Sequence, residues 1–256
     1  MKPYYEIDFS AVMCSFQIKI NDVELISLSI DGQTRSDFPV NHLILESGKQ
    51  TIEVKGLPMS GHTEMHDDSY MRYRVNVYDM SSGDYAFVKQ FDEYFTQKPD
   101  KNIPFIGHTS TFNADVPYKL DAWQNGINLK DAKFDVKEKL IRKYNEIIRL
   151  INGGNYESFM EQYQKREGNN ALAMYLSKNQ AESRMGGVIS DMKDGYRAQP
   201  LLDDIYVEYS GYGKLAALKC TDMMPAIRLE NPETDEELVL PMTFYIPEGK
   251  DEFEII

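Results

Sequence analysis

The densest group of potential metal ligands in the chain is His62-Thr63-Glu64-Met65-His66-Asp67-Asp68. Imidazole and carboxylate groups suit a divalent ion, and a folded loop could bring His62, His66 and Asp68 around one. The spacing is not that of a zinc protease helix, which needs Glu directly after the first His so that both rings face one way. The cluster follows Pro58 and Gly61 between strand-like runs. A solvated polar loop is therefore the default reading, those three residues are the metal-binding alternative, and no cofactor is expected.

Other chemistry is sparser. The four histidines are His42, His62, His66 and His108, all in the first half, and neither Cys14 nor Cys220 has a basic neighbour in sequence. No Gly-x-Ser-x-Gly elbow occurs. Gly211-Tyr212-Gly213-Lys214 lacks Walker spacing and a Ser or Thr after Lys, so it reads as a hairpin. Asp203-Asp204 and Glu236-Glu237 are adjacent pairs, which point to opposite faces of a strand and so do not form an acid–base dyad. No catalytic signature emerges.

Charge points elsewhere. The formal net charge is −13, and residues 203–256 hold 13 acidic against 4 basic side chains. Nucleic acid and anionic membranes are poor partners for such a surface; a basic protein is a good one. The turn after Pro232 can present Glu233, Asp235, Glu236 and Glu237 together, and these form the expected partner-binding surface. Tyrosine, at 17 residues, supplies amphipathic rings for strands and contacts. A sugar platform is less expected, because the one tryptophan, Trp123, falls in the predicted linker.

The elements that position these groups follow from periodicity. Tyr5/Ile7/Phe9, Phe16/Ile18/Ile20, Ile52/Val54 and Tyr73/Val75/Val77 alternate with polar residues, as half-buried strands do. Asn21-Asp22, Asp31-Gly32, Ser47-Gly48, Ser60-Gly61 and Ser82-Gly83 read as turns between them. Further strands are expected over Tyr85–Phe95 and over Thr109–Val116, within a proline-containing stretch from Lys98 to Pro117 that otherwise reads as loop. This predicts an all-β antiparallel sandwich over residues 1–130.

The period then changes. Val136, Leu140, Ile141, Tyr144, Ile147, Ile148 and Ile151 form a helical stripe, with Asp135 as cap and Gly153-Gly154 as stop. A second helix is predicted from Asn155 to Gly168, and a third from Ala171 to Arg184, broken by Gly186-Gly187. Strands return after Pro200. Helices followed by a strand meander predict an α+β domain over residues 131–256, with helices packed on an antiparallel sheet.

The first helix, the joint Ile151-Asn152-Gly153-Gly154-Asn155-Tyr156-Glu157-Ser158-Phe159 and the closing strand Leu240-Pro241-Met242-Thr243-Phe244-Tyr245 give this half a loose resemblance to the NTF2-like α+β fold. The resemblance implies a pocket between helices and sheet, which Tyr144, Phe159, Tyr206 and Phe244 would line. It implies no activity, because the family includes enzymes and pure binding modules. In general character, small and acidic, the chain is similar to immunity-type binding proteins. No stretch resembles an export signal or a membrane span, and two isolated cysteines fit free thiols in the cytoplasm. The expected function is a non-catalytic protein, immunity or adaptor in type, that occludes a basic partner. The alternative is a small-molecule binder or enzyme using the C-terminal pocket.

Overall fold

The structure is a computed structural model and describes residues 1–96, 99, 103–221 and 224–256. The chain divides into two compact units, Met1–Leu120 and Asp121–Ile256. The division falls about ten residues before the sequence boundary at 130. The linker-like stretch instead folds with unit 2 as two short 3-10 turns, Trp123–Asn125 and Leu129–Asp131, and Leu129 enters the unit 2 core.

The described part of unit 1 is a curled antiparallel sheet of β1 (Pro3–Ile20), β2 (Val23–Pro39), β3 (Gly48–Leu57), β4 (Tyr70–Asp79), β5 (Ala86–Gln90), β6 (Tyr94–Phe95) and β7 (Ile106–Ala114). The two alternating runs 5–9 and 16–20 belong to one long strand. β1 and β2 pair along almost their whole length through a tight turn at Asn21-Asp22, where φ is 52° and 62°. Left-handed conformation at both central residues matches the twist of the flanking strands.

The same hairpin bends in its middle. Met13 has a φ of 49°, and the pairing slips between Val12 and Cys14. Across from it, Asp31-Gly32 lies inside β2 with Gly32 at a φ of 125°, so the residues that read as a turn are the partner's half of the bend. Before the bend β1 pairs with β4, and after it with β3, which pairs with β7. The single hydrogen-bonded sheet thus turns back over its own core. Tyr5 and Phe91 meet Phe112 at 5.8 and 5.4 Å between ring centroids. Of the Lys98–Pro117 stretch, β7 occupies the middle; residues 97, 98 and 100–102 lie outside the described residues.

Unit 2 carries α1 (Val136–Asn152), α2 (Tyr156–Ala173) and α3 (Lys178–Lys193), then β8 (Arg197–Ala198), β9 (Tyr206–Ser210), β10 (Leu215–Lys219), β11 (Arg228–Asn231), β12 (Glu236–Val239), β13 (Phe244–Tyr245) and β14 (Glu254–Ile255). The strands form two small antiparallel sheets, β14-β13-β10-β9 and β12-β11-β8. Helix α1 begins where the Asp135 carboxylate accepts from Glu138 N at 2.9 Å. Its stripe Val136, Leu140, Tyr144, Ile147, Ile148 and Ile151 is buried in the core.

The later helices run differently from expectation. α2 continues through Gly168 to Ala173, and α3 starts at Ser177 and passes through Gly186-Gly187. Ser177 and Gln180 form a complete capping box, which sets the start. Glycine lowers helix propensity by about 1 kcal/mol but does not forbid a helix held at both ends. No helix among the described residues is long and apolar enough to cross a membrane.

Candidate functional site

A groove runs between α2 and α3 of unit 2. Positions 157, 160, 161, 164, 168 and 171 recur at helical spacing and share one side of α2; Ala181, Glu182 and Met185 of α3 face them. The groove encloses about 540 Å³, within the span of about 300–1,000 Å³ typical of ligand clefts. From Glu157 to Ala171 it runs about 21 Å along the helix, at 1.5 Å per residue.

Its chemistry is two-sided. Met160, Gly168, Ala171, Ala181 and Met185 make an apolar floor, with thioethers that adapt to irregular shapes. Glu157, Glu161, Glu167 and Glu182 supply the charge, and among the described residues no Lys or Arg lines the groove. Glu167 is spoken for: it accepts from Arg184 at 2.8 Å and pairs with Arg166 at 3.0 Å, tying α2 to α3. Glu182 meets Lys178 at 3.7 Å on an exposed surface, a pair worth well under 1 kcal/mol. Among the described residues no cation pairs with Glu157 or Glu161.

Helix α3 is fastened to its neighbours at its C-terminal end. Tyr156 donates its hydroxyl hydrogen to Met192 O at 3.3 Å, and the Asn231 amide donates to Asp194 O at 3.1 Å. Of its residues only Met192 is buried. With one fully buried residue, three partly buried ones (Met185, Val188 and Ile189) and two mid-helix glycines, α3 is held by less packing than α1.

The residues expected from sequence are placed as follows. Tyr144, Phe159 and Phe244 are not pocket walls. They are fully buried in the core, with Tyr144 and Phe244 packed at 5.0 Å between centroids. The Tyr144 hydroxyl accepts from Leu218 N at 3.0 Å and donates to Met242 O at 3.3 Å, which pins α1 to β10; burial pushes its pKa up. Tyr206 is 39 % exposed on β9, so the four do not share a cavity wall. The helix stripe meets β10 and β13 through these rings, and none of them lines the α2–α3 groove.

Glu233 and Asp235 lie on the β11–β12 turn, and Glu236 and Glu237 open β12, where as strand neighbours they point to opposite faces. Asp235 takes a φ of 57° in the turn. Glu236 accepts from Tyr196 OH at 2.8 Å and from Thr234 at 2.9 Å; these bonds hold its carboxyl below the usual range. Glu237 stands 3.9 Å from Arg228. In unit 1, His66 Nδ1 accepts from Asp68 N at 3.1 Å, and among the described residues no three His, Cys, Asp or Glu converge as a metal site would require.

The sequence reading missed the groove. Its signal was present, as the glutamate and methionine stripe Glu157-Met160-Glu161-Gln164, but Met160 counts as core until α3 is known to lie beside it. Neither a known protein family, nor a curated protein, nor a solved structure matches this chain.

Proposed function

We propose that the protein is a non-catalytic binding protein whose α2–α3 groove takes a basic, amphipathic segment of a partner protein. One observation carries this: an apolar, methionine-bearing floor flanked by glutamates, two of which have no cation of their own. A helix with an apolar stripe and Lys or Arg flanks fits that pattern on both counts. The acidic turn at Glu233, Asp235, Glu236 and Glu237 would add long-range attraction for the same partner. An immunity or adaptor role, occluding the partner's basic surface, agrees with the net charge of −13. The enzyme or small-molecule reading loses its expected wall residues, since Tyr144, Phe159 and Phe244 are committed to packing.

The finer fold readings belong to the same proposal. The face-to-face halves of the curled sheet support a sandwich-like unit 1. In unit 2, α1 laid on β9 and β10 supports the NTF2-like resemblance, while the division into two small sheets weighs against it. Two buried, unpaired cysteines support a reducing, cytoplasmic setting, with burial pushing the Cys14 thiol up to about 11.

The test is a titration of a labelled Lys/Leu amphipathic peptide against the protein and against a Glu157→Lys/Glu161→Lys/Glu182→Lys variant. The expected result is saturable binding that weakens with salt and falls at least about tenfold in the variant. An acidic peptide with the same apolar stripe should not bind. Equal binding of both peptides, or binding blind to the three substitutions, removes the groove from the account.

A further inference from the structure

A second unsatisfied surface lies on unit 1, on the outer face of the curled sheet. Alternation along β1 sends Tyr5, Ile7 and Phe9 to one face and Tyr4, Glu6 and Asp8 to the other, where Tyr4 and Asp8 are themselves covered, at 7 % and 1 % exposed. The register sets Tyr4 directly opposite Tyr78 of β4, and Tyr78 opposite Phe87 of β5. Three rings therefore form a row across three neighbouring strands.

Tyr85 closes the row into a corner. It stands 5.3 Å from Tyr4 at 89° and 5.9 Å from Tyr78 at 76°, while Phe87 stands 5.9 Å from Tyr78 at 74°. Each contact is edge to face, so the rings make walls near right angles. Tyr85 and Phe87 remain 55 % and 62 % exposed, although apolar side chains of this size usually find cover.

The next two rows on this face bring carboxylates. Glu6 lies across from Asn76, and Asp37 of β2 lies across from Asp8, one step diagonally from Glu6. The cations nearby are already engaged. Arg72, Arg74 and Arg35 converge on Asp8 at 2.5, 2.7 and 3.4 Å, and Lys89 lies over the Phe91 ring at 4.6 Å. Among the described residues neither Glu6 nor Asp37 has an ion-pair partner. Burial, and then the Asp37 charge, hold the Glu6 carboxyl above its ordinary range. Burial chiefly raises the Tyr4 and Tyr78 hydroxyls too, and Glu6 adds to both. The site thus carries two carboxylates without ion-pair partners among the described residues, beside ring faces that are themselves negative, while Arg74, bound to Asp8, is the cation whose field reaches Tyr78.

A neutral sugar would use the rings but not the charge, and an added β-strand on β5 would use neither carboxylate. A cation with an apolar skin uses all of them, because ring quadrupoles and carboxylates attract it together. We propose that the Tyr4–Tyr78–Tyr85–Phe87 corner, with Glu6 and Asp37, binds an organic ammonium group of the quaternary or alkylated-lysine type. This site lies in unit 1 and stands or falls independently of the α2–α3 groove.

The experiment uses the full chain and four probes: choline, its neutral carbon isostere, a trimethyl-lysine peptide and the same peptide with plain lysine. Binding is followed through the tyrosine signals by NMR. The expected result is saturation by choline or trimethyl-lysine at about 1 mM and at least about tenfold weaker binding of the neutral isostere. Tyr85→Ala/Phe87→Ala should weaken the cation about tenfold or more, and Glu6→Gln about threefold, with circular dichroism unchanged because both rings are exposed. Tighter binding of the peptide than of choline identifies a partner's side chain as the source; the reverse identifies a free small molecule. No saturation at ten times that concentration overturns the proposal. So does equal affinity for the neutral isostere, or an affinity untouched in the double variant.

Discussion

Helices α1 and α3 are nearly equal in length, at 17 and 16 residues, and differ in what holds them. α1 buries six side chains, and its Tyr144 hydroxyl bonds both to β10 and to the segment before β13. α3 fully buries Met192 alone, packs Met185, Val188 and Ile189 only partly against the core, carries two glycines in its middle, and is tied to α2 by Arg184–Glu167 and Tyr156–Met192. Yet α3 has the more complete local start signal, a reciprocal capping box, where α1 has a single cap bond. Local chemistry therefore decides where a helix begins, and the apolar stripe decides how firmly it is held. A weakly held helix beside an acidic, apolar-floored groove is the kind of element a partner can order.

The same contrast recurs in unit 1, two residues apart on one strand face. Asp8, with its side chain 2 % exposed, is met by three arginines. Burial alone would raise its pKa, but Arg72 and then Arg74 outweigh that and hold it below the usual range. Glu6 has no such partner, and its pKa is raised.

The sharpest way to break the first comparison is truncation. Leu140→Ala in α1 should cost about 2–5 kcal/mol, as a fully buried leucine does. Met185→Ala in α3 should cost about 1 kcal/mol or less. Urea denaturation of both variants checks this, and equal losses would mean that α3 is as firmly held as α1.

The charge contrast makes opposite pH predictions. Because Asp8 is lowered in the folded state, its contribution is present above its unfolded value of about 3.9 and disappears as pH falls through the folded value. Asp8→Asn should thus cost about 1–3 kcal/mol at neutral pH and progressively less in acid. Glu6 is raised, so its ionisation opposes folding at neutral pH, and Glu6→Gln should raise the melting temperature there and lose that advantage in acid. Parallel pH-melting curves that shift in the same direction would erase the distinction between the two sites.

The smallest effect sharpens the picture of α3. A Cβ added at Gly186 or Gly187 meets nothing within 4 Å. Each Gly→Ala change should therefore stabilise α3 by about 0.5–1 kcal/mol. Hydrogen exchange over 178–193 should slow in the double variant. Unchanged exchange would mean that the glycines do not limit the stability of α3.

Much of this fold is legible in the chain. Alternation marks the strands of unit 1, and the stripe from Val136 to Ile151 marks α1 with both of its boundaries. Asn21-Asp22 reads correctly as a turn, whereas Asp31-Gly32 reads as a turn and is a bend inside β2. The two cases look alike locally; only the register slip at Met13 on β1 separates them. Gly186-Gly187 misleads in the same way, because a propensity of about 1 kcal/mol per glycine is overridden once both helix ends are tied down.

What the amino-acid sequence by itself determined is the set of elements with strong periodicity, their caps, and an acidic surface concentrated toward the C-terminal end. These depend on residues within a few positions of one another. Tertiary structure alone decided which faces meet. It turned Tyr144, Phe159 and Phe244 from expected pocket walls into packed core. It laid α3 beside α2 to make a groove, and it aligned Tyr4, Tyr78 and Phe87 across three strands next to Glu6. Each of those outcomes depends on the register and packing of segments tens of residues apart, and a side chain's own sequence neighbours do not carry that information.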